Sequence, residues 1–151
     1  MHSKPERYPE ALIAPMRADL TRYGVEEIRT AEEVDRLLQA SNGTVLFVIN
    51  SICGCAASKA RPAIGLALQH SLRPDRVVTA FAGADLEAVA RVRQRLVGHP
   101  PSSPSIILFQ DAQPVWVLHR KDIEASDAPG IAAQLILAFN EYCRRQPAQV
   151  E

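Results

Sequence analysis

The sequence predicts an α/β fold in which helices cover both faces of a mixed central sheet. Three observations lead to this prediction. The segment Thr44–Asn50 is apolar on both of its alternating faces, which is typical of a central strand. Strand and helix patterns alternate along much of the chain, and this order implies parallel strand pairs joined by right-handed crossovers. Two strand patterns at 105–109 and 115–119, separated by a tight turn through Asp111, imply an antiparallel edge.

The other elements follow from apolar spacing and from helix caps. Helices are expected over about 9–23, 55–70, 85–97 and 129–145. A further helix should begin after Thr30, which opens a capping box. Short strands are expected at 25–28 and 77–82. Asp127 is a cap candidate for the last helix, and Pro129 lies in its first turn. This order of elements is that of the three-layer thioredoxin-like fold, with 9–23 as an N-terminal helical extension and 146–151 as a frayed tail.

Length and composition favour one globular domain over residues 1–151. The 17 basic and 17 acidic side chains cancel, so charge gives no reason to expect a nucleic-acid or anionic-lipid partner. The N-terminal segment has no unbroken apolar run after its basic residues, and no stretch approaches the roughly 18 apolar residues of a membrane span. We therefore expect a cytoplasmic protein with no membrane partner, in a compartment that keeps thiols reduced.

Cys53, Gly54 and Cys55 directly follow the predicted central strand. A thiolate is the nucleophile of disulfide exchange, and the unpaired N–H groups that open a helix stabilise negative charge. The Cys53 sulfur is placed to accept hydrogen bonds from the N–H groups of Gly54, Cys55 and Ala56. Gly54 lets the backbone come close to that sulfur, because it has no Cβ atom. We expect Cys53 to be a partly exposed nucleophile with a lowered pKa.

The spacing of the two cysteines bears on mechanism. On an ideal helix their Cβ directions differ by about 200°, so the side chains should diverge. A Cys53–Cys55 disulfide would then need a non-helical, strained turn around Gly54, and strain makes a disulfide easier to reduce. Two possibilities stay open: a labile resolving disulfide, or a Cys53 that works through a mixed disulfide with a small thiol or a protein.

Other interpretations of the cysteines are inert burial, a metal-binding module and a non-catalytic interaction domain. Two thiolates are half of an ordinary structural zinc site, and only Cys143 and four histidines remain to complete it. Cys143 lies on the predicted last helix beside its apolar face, so we expect it to be structural. No resident metal is predicted.

Two prolines carry structural predictions. Pro62 falls inside the helix after the cysteines and should kink it, because proline removes a helical hydrogen bond. The Ser103–Pro104 bond lies immediately before a predicted strand, where thioredoxin folds set a cis-proline opposite the reactive cysteine. A cis bond there would leave the Ser103 main chain free to pair with an extended substrate.

Residues 50–62, NSICGCAASKARP, resemble the signature of the bacilliredoxin family. Segments 15–20 (PMRADL), 81–85 (FAGAD) and 101–105 (PSSPS) are each similar to family segments in the same order. The resemblance covers about 15–143. Ser58 departs from it, because glycine is expected there in close relatives, and this affects how closely a substrate approaches.

The resemblance implies a thioredoxin-like thiol–disulfide oxidoreductase that removes bacillithiol from mixed disulfides on cytosolic proteins. It makes Cys53 the attacking thiol, Cys55 the candidate resolving thiol and Pro104 the cis-proline. No bound cofactor is expected; a low-molecular-weight thiol, bacillithiol or an equivalent, is the co-substrate, and thiol-modified or disulfide-containing client proteins are the partners. The alternatives are a general disulfide isomerase or reductase that uses a labile Cys53–Cys55 disulfide, and the metal module.

Three further residues are candidate substrate contacts: Asn50, Ser103 and Arg61. Arg61, together with Lys59, could attract the carboxylates of a small thiol, although a solvated helix face explains both cations as well.

Overall fold

A five-stranded mixed sheet forms the middle layer of the protein, for which a computed structural model describes residues 7–39 and 43–144. The strands are β1 (Glu26–Glu27), β2 (Thr44–Asn50), β3 (Arg76–Phe81), β4 (Ser105–Gln110) and β5 (Gln113–Leu118), and their spatial order is β1-β3-β2-β4-β5. Strands β1 and β2 run parallel to β3, whereas β4 is antiparallel to β2 and to β5. The predicted mixed sheet with an antiparallel edge is confirmed.

The helices are α1 (Glu10–Thr21), α2 (Ala31–Leu37), α3 (Arg61–Ala67), α4 (Leu86–Gln94), α5 (Arg120–Glu124) and α6 (Ala128–Tyr142), and a π-helical turn (Ala56–Ala60) precedes α3. Helices α2 and α4 pack on the sheet face that carries Phe47 and Ile49 of β2. Helices α3 and α6 pack on the opposite face, against Leu46 and Val48. All seven residues of β2 are buried, so the central strand is covered on both sides, as its apolar pattern predicts.

The capped ends of two helices agree with the sequence. The Thr30 hydroxyl accepts a hydrogen bond from the Glu33 N–H at 3.1 Å, and the Glu33 carboxylate accepts one from the Thr30 N–H at 3.0 Å. Asp127 caps α6 by accepting a hydrogen bond from the Gly130 N–H at 2.8 Å. Helix α6 ends at Tyr142, before the expected end at about 145, because Cys143 already has extended backbone; residue 145 and the tail 146–151 lie outside the described residues.

Two features differ from the sequence prediction. Strands β3 and β4 are not parallel neighbours, because β4 lies on the far side of β2 and runs antiparallel to it. The loop between α4 and β4 is long enough to carry the chain across β2. The unit β3–α4–β4 therefore does not have to form a pair of parallel, adjacent strands. Helix α5 is also absent from the prediction, since five residues are too few to show a helical apolar period.

Helix α1 is attached to the sheet through Arg17, a buried cation. Its guanidinium donates to both carboxylate oxygens of Asp85, at 2.8 and 2.9 Å, and to Glu10 and Glu27. It also lies over the ring of Phe81. Three carboxylates compensate the charge of Arg17, and these contacts hold α1 against the sheet. The Asn50 side chain, at the end of β2, also donates to the Met16 carbonyl of α1. No helix in residues 7–39 and 43–144 combines the length and apolar content needed to cross a membrane.

Candidate active site

Cys53 lies between the end of β2 and the first helical turn. Its carbonyl accepts hydrogen bonds from the N–H groups of Ala56 at 2.9 Å and Ala57 at 3.3 Å, whereas Gly54 and Cys55 already have helical backbone. Cys53 therefore occupies the position just before the helix. The predicted junction of strand, cysteine and helix is what the structure shows.

The sulfur atoms of Cys53 and Cys55 lie 3.0 Å apart, within hydrogen-bond distance, and both thiols are free. The prediction that the two side chains diverge is wrong. It assumed that both cysteines belong to one ideal helix, but Cys53 precedes the helix and its side chain is not tied to the helical period. Cys55 can consequently donate its proton to a Cys53 thiolate.

This contact separates the acidities of the two thiols. The hydrogen bond from Cys55 lowers the pKa of Cys53 below its ordinary value of 9.0, and the N–H groups of Cys55 and Ala56 and the charge of Arg120 add to the effect against the opposing effect of burial. Burial, followed by the hydrogen bond and charge of Cys53, raises the pKa of Cys55 to about 11. Cys53 is thus the more acidic thiol of the pair and Cys55 the less acidic one, which agrees with the lowered pKa predicted for Cys53.

A relay of hydrogen bonds supports the loop that carries Cys53. The Cys53 N–H donates to the Ser51 hydroxyl at 2.9 Å, and the Ser51 N–H donates to the Asn50 side-chain oxygen at 2.8 Å. The Arg61 guanidinium donates to that same Asn50 oxygen at 3.0 Å and to the Ser51 carbonyl at 2.9 Å, and its Nε donates to Asp19 at 3.1 Å. The loop is therefore held from beneath by one buried cation.

Asn50 and Arg61 differ from their expected place at the substrate surface. Their exposed fractions are 2% and 4%, and the Asn50 amide nitrogen donates to the Met16 carbonyl of α1 at 3.2 Å. The solvated-face interpretation of Arg61 is wrong for the same reason. Its donors are used by the Asn50 side-chain oxygen, the Ser51 carbonyl and the Asp19 carboxylate. Asn50 and Arg61 therefore support the loop that carries Cys53 from the interior of the protein, and neither side chain is exposed at the surface where a substrate would bind.

The Ser103–Pro104 peptide bond is cis, the isomer that its place before a strand predicts. Ser105 pairs with Ile49 across the sheet, so Pro104 lies beside the loop that follows β2. Within the described residues, the main chain of Ser103 makes no hydrogen bond to another residue, and Ser103 is half-buried. Its N–H and carbonyl remain available to an extended substrate.

Gly54 faces open space on the exposed side of the motif. A Cβ atom at this position would meet no heavy atom within 4 Å among the described residues. The fold itself does not need glycine here, so the free space is available to an approaching molecule. Ser58, where close relatives are expected to have glycine, donates its hydroxyl proton to the Gly54 carbonyl at 2.9 Å.

A π-helical turn, Ala56–Ala60, lies directly before the helix start at which Pro62 is expected to cause a kink. The Arg61 N–H donates to the Ala56 carbonyl, five residues earlier, and Pro62 follows at the start of α3. Proline has no N–H to give to the preceding turn, and a wider turn accommodates this loss. Lys59 projects from this turn and donates to the Glu124 carbonyl at 2.7 Å, which links the motif helix to α5.

Arg120 is a functional candidate that sequence reasoning missed. It opens α5, its N–H donates to the Ser102 hydroxyl at 3.2 Å, and its guanidinium pairs with Glu124 at 3.2 Å. Its positive charge acts on both thiols and lowers their pKa values. The four-residue spacing of Arg120 and Glu124 is the one local signal that could have indicated this short helix.

Cys143 lies at the other end of the sheet. It contacts the hydroxyl of Thr44, the first residue of β2, and burial raises its pKa to about 11. A strand of seven residues, spanning roughly 20 Å, separates Thr44 from the loop that carries Cys53. Cys143 follows the last residue of α6 and packs against the core of the α3 and α6 face, a placement that agrees with the structural role expected for it.

In the part of the chain that the structure describes, no three His, Cys, Asp or Glu side chains are grouped so that they could hold a metal ion. The metal-module interpretation therefore lacks a ligand set in residues 7–39 and 43–144. His2, one of the four histidines considered for it, lies outside the described residues.

Comparisons with known proteins agree with this site. The family model described as disulphide isomerase matches residues 8–143. A bacilliredoxin from Salinibacter ruber is 53% identical over 90% of this chain and 81% of its own length, and one from Koribacter versatilis is 48% identical over 90% and 94%. A solved structure with a thioredoxin fold matches 74% of this chain and 92% of its own with a TM-score of 0.59 at 14% identity.

An acidified thiol beside a second thiol, at the end of the central strand of a thioredoxin fold and with a cis-proline before the neighbouring strand β4, provides what thiol–disulfide exchange needs. The protein is a thiol–disulfide oxidoreductase. Its similarity to relatives of known family over nine-tenths of its length is more specific: the chain belongs to the bacilliredoxin family.

Proposed function

We propose that the protein reduces mixed disulfides between cytosolic proteins and a low-molecular-weight thiol, bacillithiol or an equivalent. The observation that carries the proposal is the 3.0 Å contact between Cys53 and Cys55, which gives one thiol the charge and the other the proton. A nucleophile of this kind is ready before substrate binds. The names of the relatives support the choice of a small thiol as the modifying group.

In the first step the Cys53 thiolate attacks the small-thiol sulfur of the mixed disulfide. The Cys53–thiol disulfide forms, the client–thiol disulfide breaks, and the client leaves as a thiolate that takes up a proton. No external electrons enter at this stage. The unpaired Ser103 main chain offers hydrogen-bonding groups to the extended client segment beside the attacking sulfur.

In the second step Cys55 attacks Cys53 and releases the small thiol. Formation of the mixed disulfide removes the charge on Cys53, which is one of the factors that raise the pKa of Cys55. The charge of Arg120 stays in place and favours the Cys55 thiolate. The product is a Cys53–Cys55 disulfide, and two electrons from an external dithiol or from two small-thiol molecules return it to the reduced state.

Mass spectrometry after incubation with a protein–thiol mixed disulfide tests both steps. The Cys55→Ala variant should retain the small thiol on Cys53, the Cys53→Ala variant should carry none, and the wild type should release it. An adduct that persists in Cys53→Ala would reverse the assignment of the two cysteines.

The same sulfur contact favours a second candidate, a general disulfide reductase or isomerase that cycles through Cys53–Cys55. The two functions differ in their substrates. The first predicts faster reduction of a protein–small-thiol disulfide than of an intramolecular protein disulfide of similar exposure, whereas the second predicts the opposite order or equal rates.

A further inference from the structure

A small cavity lies behind the proline-rich loop that leads to cis-Pro104. Its polar lining consists of Arg93 from α4, His99 and Ser102 from the loop, Ser105 at the start of β4 and His119 before α5. Its volume is about 40 Å³, which is room for a few heavy atoms. His99, Ser102 and His119 also line a wider surface groove of about 380 Å³. A small group in the cavity can therefore belong to a larger molecule in the groove.

Arg93 lacks the partners that a half-buried cation needs. Its Nε atom is buried and has no hydrogen-bond partner among the described residues, and its Nη2 reaches only the Ser102 carbonyl, at 3.4 Å. Burial lowers the pKa of Arg93, and no carboxylate offsets this. A buried charged donor without an acceptor is destabilising, so an anion that reached this guanidinium would relieve the deficit.

The surroundings of Arg93 are suited to such an anion. Among the described residues, no Asp or Glu lines the cavity or the groove, whereas Lys121 lines the groove. Asp122, the carboxylate that follows Lys121 in the chain, is occupied by a hydrogen bond from the His119 main-chain N–H at 3.0 Å. The His99 and His119 rings are within hydrogen-bond distance of each other, with Nδ1 and Nε2 3.1 Å apart.

The sheet register places the cavity near the reactive thiol. Ser105, which lines it, pairs with Ile49, and β2 ends one residue later, three residues before Cys53. His119, which also lines it, is followed by Arg120, whose charge acts on Cys53. A molecule whose sulfur is at Cys53 can extend past the cis-proline toward Arg93.

We propose that this cavity binds a carboxylate of the small thiol in the mixed disulfide, and that Arg93 is the residue that determines this specificity. The inference rests on the proposed function and names the chemical class of its substrate, an acidic thiol. A guanidinium offers parallel N–H donors to the two oxygens of a carboxylate, which makes it a better match for this group than for a neutral or cationic thiol.

Single-turnover kinetics in the Cys55→Ala variant isolate this recognition. The probes are three symmetrical disulfides, RSSR, in which R is 2-carboxyethyl, 2-hydroxyethyl or 2-aminoethyl. The Cys53 thiolate attacks one sulfur, the Cys53–R disulfide forms, and one RS⁻ leaves, so no reductant is required. Mass spectrometry follows the adduct, and each rate is divided by that of the neutral 2-hydroxyethyl disulfide, which cancels any change in the thiolate fraction.

Arg93→Gln should lower the carboxyethyl-to-hydroxyethyl rate ratio about tenfold and leave the aminoethyl ratio the same or higher. Arg93→Lys keeps the charge and should retain part of the preference. Arg91→Gln is the matched control, because Arg91 is on the same helix and pairs with Asp35 away from the cavity. Circular dichroism confirms that each variant is folded. An unchanged ratio in Arg93→Gln, or an equal fall in Arg91→Gln, would overturn the inference.

Two further measurements separate the alternatives. Succinate, added as an unreactive probe, should shift the Arg93 Nε–H resonance in ¹⁵N spectra, and the absence of a shift at tens of millimolar would count against the pocket.

Cysteine peptides carrying 2-hydroxyethanethiol as a mixed disulfide, with Glu or Gln beside the cysteine, test whether the carboxylate comes from the client protein and not from the small thiol. A Glu preference that depends on Arg93 would assign the pocket to the client and overturn its assignment to the thiol. No adduct with any disulfide would instead refute the proposed function itself.

Discussion

The Cys55 sulfur lies 3.0 Å from the Cys53 sulfur, close enough for one proton to be shared between them. The pair therefore titrates as a unit in which Cys53 loses its proton first. A thiolate that forms in this way depends on a neighbour that stays protonated. The two cysteines are for this reason unequal before any substrate binds.

The acidity of Cys53 should depend on Cys55. The rate of alkylation by iodoacetamide rises with pH as the thiolate forms, so its midpoint reports the pKa of Cys53. Cys55→Ala removes the hydrogen-bond donor that contributes most to the lowered pKa, and the midpoint should move to higher pH. Cys143→Ala, at the opposite end of the sheet, should leave it where it is. A midpoint that stays fixed or falls in Cys55→Ala would show that the thiol contact is unimportant.

Buried Arg61 should matter more for stability than its exposed partner Asp19. Arg61→Met leaves the Ser51 carbonyl without its donor and removes one of the two donors to the Asn50 side-chain oxygen, and we expect the free energy of unfolding to fall by about 3 kcal/mol. Asp19→Asn removes only a partner whose side chain is 42% exposed, so the loss should be about 1 kcal/mol or less. Urea denaturation measures both. Equal losses would mean that Arg61 acts through Asp19 and not through the loop.

Much of the architecture followed from local patterns, because the elements that carry it are long or strongly marked. Thr44–Asn50 is apolar throughout and is central, Thr30 and Asp127 are caps, and Ser103–Pro104 precedes a strand and is cis. The environment of the cysteines was harder to predict. Arg61 is distinguished from a solvated cation only by the packing of α1 and β2 around it, and such contacts between distant segments leave no local periodicity.

The geometry of the motif was also hidden for a physical reason. A shift of the helix start by one position decides whether the two cysteine side chains diverge or meet. They can meet when Cys53 is the last residue before the helix, and they diverge when it is the first residue within it. Sequence patterns locate a helix end only to within a few residues. Arg120 was missed because its helix has five residues, fewer than two turns.

Gly54 should be needed for access and not for folding. Gly54→Ala places a methyl group in open space on helical backbone, so stability should be unchanged or higher by up to about 1 kcal/mol. The rate with a protein mixed disulfide should fall more than the rate with a small disulfide, since the methyl group occupies the approach path. Gly65→Ala is an informative contrast, because its Cβ would overlap the ring of Tyr23, which must move to make room. A stable Gly54→Ala variant with full activity on protein substrates would contradict the access role.

Arg120 should tune the thiols through its charge. Arg120→Gln keeps the main-chain hydrogen bond to Ser102 but removes the positive charge that lowers the pKa of Cys53. Alkylation at pH 7 by neutral iodoacetamide should become slower, and its midpoint should move to higher pH. The Arg120 side chain is 46% exposed, so the difference between wild type and variant should shrink as salt is raised toward about 1 M, where charges are screened within roughly 3 Å. Arg76→Gln makes the same change of charge at the far end of the sheet and should have no effect; a matching shift in that variant would assign the result to net charge rather than to Arg120.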